Sequence, residues 1–532
     1  MSFFNQPKKP TVTTNFAGGK AYTQSTRMEL LSAIVTSLGN DNTYEKFSDR
    51  YHRLSDLVKK CDPEFVAKLA VYARTKFNVR TTPIVLLVEM AKHFSGSPYI
   101  RLATRNTITR ADELSEVLSA YVNLNSRIGI KKLCKLNNGL RRGIADAFHK
   151  FNEYQFSKYK KTDKEISLRD AFFISHPKPL NDKEAEVFAK IANETLSTAE
   201  TWETKRSAIG QNKELSQEEK DNLKRESWGE LLKSNKLGYM AMLRNLCNML
   251  KDGVDDKVFD TVINTLTDKN QVKKSKQFPF RFYSAYNEVK KLQREGIEIS
   301  LPYTPNVVNI NIGEPQKTNI SEDRYEKIYN ALEQAAISSV TNIPGFDDAD
   351  KTICVVSDVS GSMDHKLNEK TDITFKQIGL LMSILINKVN KKNDYYLFAS
   401  EVGKVNIFDK KANVFDLVNK LTNLVNLGYS TNGYKVFDKL VENNQKFDKI
   451  YLFTDMQLYG GDTSKAWSKY RNIVNKDCEL VIIDLSGYGK SPVAHGNNAI
   501  TIPGFSEQVF EMIKLLENGS SVVNEIMKIE LK

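Results

Sequence analysis

Ile353-Cys-Val-Val-Ser-Asp-Val-Ser-Gly-Ser362 decides how this chain reads. The apolar run Ile353 to Val356 has the character of a buried strand, and Asp358, Ser360 and Ser362 then set an oxygen at every second position. A strand ending in a turn aims alternate residues the same way, so these three side chains are expected to converge. Hard cations such as Mg²⁺ take oxygen ligands at about 2.0–2.1 Å in octahedral geometry and keep several waters. One carboxylate and two hydroxyls are too weak a cage alone, so later loops should contribute. Candidates are Thr431, in Gly428-Tyr-Ser-Thr-Asn432, and Asp455, which closes the apolar run Ile450-Tyr-Leu-Phe-Thr-Asp455. In an open parallel sheet, ligands bind outside the carboxyl ends of strands, where Asp358 and Asp455 are expected. The bland alternative is a capped turn, with Asp or Ser closing a helix N-terminus.

Around this stretch, β-rich runs alternate with helical ones. Strands are expected at 352–357, 394–399, 449–454, 478–484 and near 499–502, and helices at 371–391, 413–425, 433–444, 463–474 and 505–518. Such alternation predicts an α/β doubly wound parallel sheet. Asp-x-Ser-x-Ser with a distant Thr and a distant Asp resembles the metal-ion-dependent adhesion site of von Willebrand factor A domains. The resemblance implies a divalent metal, commonly Mg²⁺, with one position open to a partner's carboxylate and no catalytic role. That family often has glycine before its threonine. Here Ser430 stands there, so the ligand is either Ser430 or Thr431.

Upstream the pattern is helical. Met28, Leu30, Leu31, Ile34 and Val35 form one apolar stripe, Phe65, Val66, Leu69, Ala70 and Ala73 another, and a helix over 84–90 follows Pro83. Further helices are expected at 112–125, 139–160, 183–197, 226–250, 278–293 and 323–337, with a solvated excursion at 199–228. Amphipathic helices joined by short polar turns suggest a divergent helical-repeat array. Three prolines between Leu301 and Pro315 mark a connector at about 300–322. The expected division is an arm at 1–14, a helical-repeat domain at 15–345 and a sheet domain at 346–532.

The 532 residues carry 77 Lys+Arg against 65 Asp+Glu. The imbalance is local: residues 1–150 hold 24 basic and 12 acidic side chains (+12), residues 151–350 hold 30 and 32 (−2), and residues 351–532 hold 23 and 21 (+2). A basic region of this kind attracts polyanions, and phosphate contacts dominate non-specific nucleic-acid affinity. The absence of a long apolar run or a charged-then-apolar leader predicts a cytoplasmic chain without membrane contact. Five scattered cysteines without C-x-x-C spacing read as reduced, mostly buried thiols.

Lys131-Lys-Leu-Cys-Lys135 leads into Gly139-Leu-Arg-Arg-Gly-Ile-Ala-Asp146, then Phe148, Phe151 and Tyr154, then Ser157-Lys-Tyr-Lys-Lys161. Cations between aromatics can hold phosphates while rings stack on unpaired bases, although aromatics at helical spacing are more often core. Several stretches resemble the TROVE domain of the Ro 60-kDa autoantigen family. They are Asn15-Phe-Ala-Gly-Gly-Lys-Ala-Tyr22, Gly139 to Asp146, Phe156 to Lys161, Leu168-Arg-Asp170, Ile174-Ser-His-Pro-Lys-Pro179, Gly238 to Asn245 and Phe278-Pro-Phe-Arg281. The resemblance implies a monomeric ring of HEAT-like helical repeats bridged by the A domain. It further implies small structured Y-like RNAs on a basic outer surface and single-stranded 3′ ends of misfolded RNAs in a central hole. Carried onto this chain, it marks Lys158 and His176 first, then Lys160 and Lys161, with Arg141, Arg142 and Lys135 on neighbouring basic helices. Arg74, Lys76, Arg80, Arg101, Arg105 and Arg110 are further cations able to follow a backbone.

The leading expectation is a non-catalytic RNA-binding protein of the Ro type, acting in RNA stabilisation and quality control. The alternative is a metal-dependent interaction scaffold whose partner, such as an exoribonuclease, offers an acidic residue to the metal. A hydrolase is disfavoured, because only His365 lies near the metal loops and no activated nucleophile is evident.

Overall fold

A computed structural model describes residues 11–36, 47–125, 136–159, 165–295, 320–341, 351–367, 371–390, 392–406, 412–424, 426–494, 496, 498–504 and 522–532. The chain divides into two compact units, one of residues 1–199, 343–408 and 422–532, the other of residues 200–342 and 409–421.

The first unit contains a six-stranded sheet. Its strands are β3 (Ile353–Asp358), β4 (Asn393–Phe398), β5 (Val402–Val405), β6 (Lys449–Thr454), β7 (Glu479–Asp484) and β9 (Ala499–Pro503), in spatial order β5-β4-β3-β6-β7-β9. The labels β1 (Val12–Thr14), β2 (Lys20–Thr23) and β8 (Lys490–Ser491) belong to a separate three-stranded sheet. The chain builds outward from β3 to β4 and then returns to place β6 on β3's other side, so the order reverses between β3 and β6. Ligand crevices form at such reversals. Neighbouring strands are parallel except β5, which pairs antiparallel with β4 along the edge. The expected doubly wound parallel sheet is present, and β5 adds an antiparallel edge that was not foreseen, because Val-Gly-Lys-Val is too short and polar to stand out from a loop.

Every residue of β3 and β6 is buried, as expected of strands covered on both faces. One face packs Cys354, Val356, Ile450 and Leu452 against Phe437, Leu440, Trp467 and Tyr470 of helices Tyr434–Glu442 and Thr463–Ile473. On the other, Ser357 Oγ meets Ser383 Oγ at 2.5 Å, which docks helix Phe375–Val389. That helix starts at Thr374, whose capping box with Gln377 makes residues 371–373 a lead-in rather than the expected first turn. The expected helix 505–518 lies outside the described residues.

The end of the expected N-terminal arm is ordered. Val12–Thr14 pairs with Lys20–Thr23, which in turn pairs with Lys490–Ser491. Helices follow, with Ser25 capping Thr26–Val35 and Asp62 capping Pro63–Thr75, which has proline in its first turn. The expected helix 139–160 is two, Asn138–Phe148 and Glu153–Lys158. Asn152 starts the second through a capping box with Gln155, at 2.9 and 3.0 Å.

In the second unit, the expected excursion 199–228 is helical. Trp202–Gln211 and Gln217–Lys233 each begin with a capping box, at Thr201 and Ser216. Trp202 stacks at 6.4 Å on Trp228, whose indole N–H donates to Asp252 at 2.7 Å. The stretch 226–250 is correspondingly broken, at left-handed Asn235 (φ 53°), into the end of that helix and the short helices Tyr239–Arg244 and Leu246–Lys251. Glu333, on helix Glu322–Thr341, accepts from Val414 N at 2.7 Å and so caps the start of helix Val414–Leu424. Tyr283 and Tyr286 donate to Asn419 and Asp416 of the same helix, each at 2.6 Å. Among the described residues, no helix is long and apolar enough to cross a membrane.

Candidate metal centre and nucleic-acid interface

Asp358 ends β3 and Asp455 directly follows β6, so the parallel pairing of these two strands brings both carboxylates to the reversal point. Both are fully enclosed by protein, as is Ser360. After Asp358 the chain enters a 3-10 turn, Gly361–Asp364, rather than continuing the alternation of a strand. The oxygens still meet: Asp358 Oδ1 accepts from Ser360 N at 2.9 Å, Ser360 Oγ and Ser362 Oγ lie 3.4 Å apart, and Ser362 donates to Asp455. Thr454 Oγ1 donates to Asp358 Oδ2 at 2.7 Å.

The threonine loop is held against this cluster. Gly361 N donates to Tyr429 O at 3.2 Å, and Asn432 N donates to Ala399 O at 2.8 Å, beyond the end of β4. Thr431 is buried, whereas Ser430 is exposed and gives its N–H to Ser400 Oγ at 3.0 Å. Of the two candidates, Thr431 is therefore the one that the backbone turns inward.

Burial pushes the Asp358 carboxyl above its ordinary range. Burial raises Asp455 as well, with the neighbouring charge of Asp358 adding to it. Among the described residues neither has an ion-paired lysine or arginine, and Lys376, whose charge reaches Asp358, is bound to Asp364 at 2.6 Å. Two enclosed carboxylates beside hydroxyl oxygens, with no cation of their own, form an all-oxygen donor set suited to a hard divalent ion. The sequence reading overlooked Asp484. It ends β7 as Asp358 ends β3 and is fully buried, but its oxygens are taken by Ser32 Oγ at 2.8 Å and by Gly487 N and Ser486 N at 2.8 and 3.1 Å, so it braces the loop after β7 beside the site. The signal was available, because Leu480-Val-Ile-Ile-Asp484 is a third apolar run closed by aspartate.

The marked cations that are described lie on helices joined by an aromatic cluster. Phe148 packs on Phe156, Phe172 and Phe188 with ring centroids 5.8–6.0 Å apart, joining helices Asn138–Phe148, Glu153–Lys158, Leu168–Ser175 and Asp182–Ala192. Phe148 and Phe151 are buried, the core role that aromatics at helical spacing more often have, and only Tyr154 of that trio is exposed. On the rim, Lys158 is exposed with its ammonium 5.6 Å from the Tyr159 ring, and the Arg110 guanidinium stands 4.5 Å over the same ring. His176 ends helix Leu168–Ser175 in the left-handed conformation (φ 54°, ψ 56°) and is exposed, as a residue projecting before Pro177 should be. Arg141 Nη1 reaches Ser175 O at 3.5 Å, and the adjacent Arg142 is exposed. Lys135, Lys160 and Lys161 lie outside the described residues.

Of the remaining cations, several are committed to carboxylates. Arg74 holds Glu113 at 2.6 Å, Arg80 holds Asp112 at 2.6 Å and Glu116 at 2.5 Å, Arg110 holds Asp112 at 2.8 Å, and Arg101 grips Asp146 with both ends of its fork. Lys76 and Arg105 remain exposed. The basic excess of the first 150 residues thus overstates the charge open to a polyanion.

Comparison with known proteins agrees with this arrangement. The TROVE domain model matches residues 19–225 and 196–347, and the Ro60 vWA domain model matches residues 352–516. Telomerase protein component 1 of Mus musculus is 25% identical over 355 residues, 53% of this chain but 13% of that protein. RNA-binding protein RO60 of Caenorhabditis elegans is 26% identical over 292 residues, 52% of this chain and 40% of that protein. The match therefore spans less than half the length of each of these relatives. The crystal structure of the Deinococcus radiodurans RO (RSR) protein superposes with a TM-score of 0.58 at 16% identity, covering 92% of this chain and 99% of that one, a likeness of fold. With its helical part matched by TROVE and its sheet part by the Ro60 form of the von Willebrand A domain, the chain belongs to the Ro60 family.

Proposed function

We propose that this chain is a non-catalytic, cytoplasmic RNA-binding protein of the Ro type, its helical region at 15–345 holding RNA and its A domain at 346–532 holding a divalent cation, Mg²⁺ foremost. The observation that carries the RNA reading is the exposed rim of Lys158, Arg142 and His176, with no carboxylate partner for any of them among the described residues, set on helices locked by the Phe148 cluster. The name of the C. elegans relative, an RNA-binding protein, points the same way. Small structured non-coding RNAs would lie on a basic outer surface and unpaired 3′ ends of misfolded RNAs in a central hole, as the resemblance implies. Phosphates would be held by charge, and unpaired bases would stack on exposed rings such as Tyr154. Sequencing the RNA that co-purifies with the full chain tests this. Short hairpin RNAs with one free terminus should dominate, and RNA no different from a control purification would refute the reading.

A scaffold role for the metal centre has one observation in its favour. Tyr429 (85% exposed) and Tyr459 (50% exposed) belong to the two loops that carry Thr431 and follow Asp455, and they offer aromatic surface to a protein that presents a carboxylate there. Asp358→Ala should then abolish capture of that protein, an exoribonuclease among the candidates, while RNA binding persists. Loss of RNA binding instead would show that the metal loop supports the fold.

A further inference from the structure

The segment Asn15 to Lys20 and the loop after Asp455 lie in the same compact unit, and the contacts between them are specific. Met456 holds a left-handed backbone (φ 68°) while completely buried. A side chain larger than glycine is disfavoured there, so its surroundings must impose the conformation. Asn15 supplies part of that constraint. Its Nδ2 donates to Leu458 O at 2.7 Å and to Met456 O at 3.3 Å, while its Oδ1 accepts from Gly19 N at 2.7 Å. One side chain thus closes its own turn and grips the neighbouring loop. Ala17 N adds a bond to Gln457 Oε1 at 3.2 Å. Gly19 allows the approach, because a Cβ there would lie 1.9 Å from Leu458 O.

The gripped loop is tied to the candidate ligands at both ends. Gln457 N donates to Asp455 Oδ1 at 3.1 Å, and Tyr459 N donates to Thr431 O at 2.8 Å. Any change in the path of residues 456–459 is therefore felt by Asp455 and by the backbone of Thr431. We propose that Asn15 is a positioning residue for the metal centre, its turn acting as a clasp that sets the Asp455 loop in the geometry that binds a divalent cation. The inference rests on the metal reading given above. Coupling of this kind is reciprocal, so cation binding in turn stabilises the clasp.

Two variants of the full chain separate the parts of the clasp. Asn15→Ala removes both functions of the side chain. Asn15→Asp keeps the acceptor for Gly19 N but has no donor for Leu458 O. Removing a buried amide from carbonyls it satisfies should weaken Mn²⁺ binding by about three- to tenfold in calorimetric titration. In metal-free protein, amide exchange at Met456 to Tyr459 should accelerate in both variants. Far-UV circular dichroism checks that each variant is folded. Cation affinity within twofold of wild type in both folded variants would overturn the proposal, as would unchanged exchange in the loop. If the wild-type chain takes up no Mn²⁺, the metal reading and the cation dependence of the clasp both fall, and the exchange experiment alone decides whether Asn15 holds the loop.

Discussion

Gly143→Ala is a small change with a sign set by the structure. Gly143 lies on helix Asn138–Phe148 where it crosses helix Tyr99–Thr107, and an added Cβ would stand 2.5 Å from Thr104 Cβ and 2.7 Å from Arg101 O. Neither neighbour yields easily. Thr104 is fully buried with its hydroxyl bonded to Ile100 O at 2.7 Å, and Arg101 O is backbone. Overpacking a rigid contact costs about 1–3 kcal/mol. Alanine in place of glycine returns about 1 kcal/mol of helix propensity. The two terms leave a loss of about 0–2 kcal/mol, and the expectation lies in its upper half, about 1–2 kcal/mol, because a carbonyl and a β-branched carbon must both move. Native-state amide exchange across residues 138–148 measures it as the free energy of opening that helix. Gly210→Ala, where a Cβ meets nothing within 4 Å, is the matched control and should be neutral or stabilising by up to about 1 kcal/mol. An opening energy for Gly143→Ala equal to or above that of wild type would refute the close helix crossing. It would also remove the reason for thinking that Arg141 and Arg142 are rigidly presented.

Other outcomes follow from the same geometry. Divalent cation at about one hundred times its dissociation constant should stabilise wild type by about 2.7 kcal/mol in thermal or urea unfolding, and chelation should remove the gain. Asp358→Ala should not respond to cation, and without it should lose about 1–3 kcal/mol for each donor left unsatisfied at Ser360 N and Thr454 Oγ1, offset in part because one of two neighbouring buried charges is gone. Lys158→Ala should weaken RNA binding evenly across sequences and reduce the salt slope by about 0.7–0.9, the share of one phosphate; an unchanged slope would place Lys158 away from the backbone. In native protein, iodoacetamide should modify Cys247 well before Cys354 or Cys478, because burial raises both of those thiols, that of Cys478 to about 12. Early labelling of Cys478 would mean that the core under helix Thr463–Ile473 opens readily.

Legibility followed the strength of each local signal. The strands of the sheet half declared themselves because burial on both faces forces continuous apolar runs, and Asp358 and Asp455 stood out as charges closing such runs. Edge strand β5 did not, since pairing on one side asks little of its side chains. The helices at 202–211 and 217–233 were lost to their polar composition, although Thr201 and Ser216 carried the capping signals. Contacts between residues far apart in sequence left no trace at all: nothing in Asn15 suggests Leu458, and nothing in Arg74 or Arg80 suggests the carboxylates that occupy them. For the same reason, counting charge along the chain misjudged how much of it faces outward.

Fluorescence anisotropy of the full chain with a labelled hairpin, one form carrying a single-stranded 3′ tail and one blunt, tests the RNA reading most directly. With roughly four phosphates neutralised, affinity should fall about sixtyfold as salt rises from about 50 to 200 mM. The tailed hairpin should bind more tightly than the blunt one at every salt concentration. Binding that ignores salt, or no binding to either hairpin, would contradict the account.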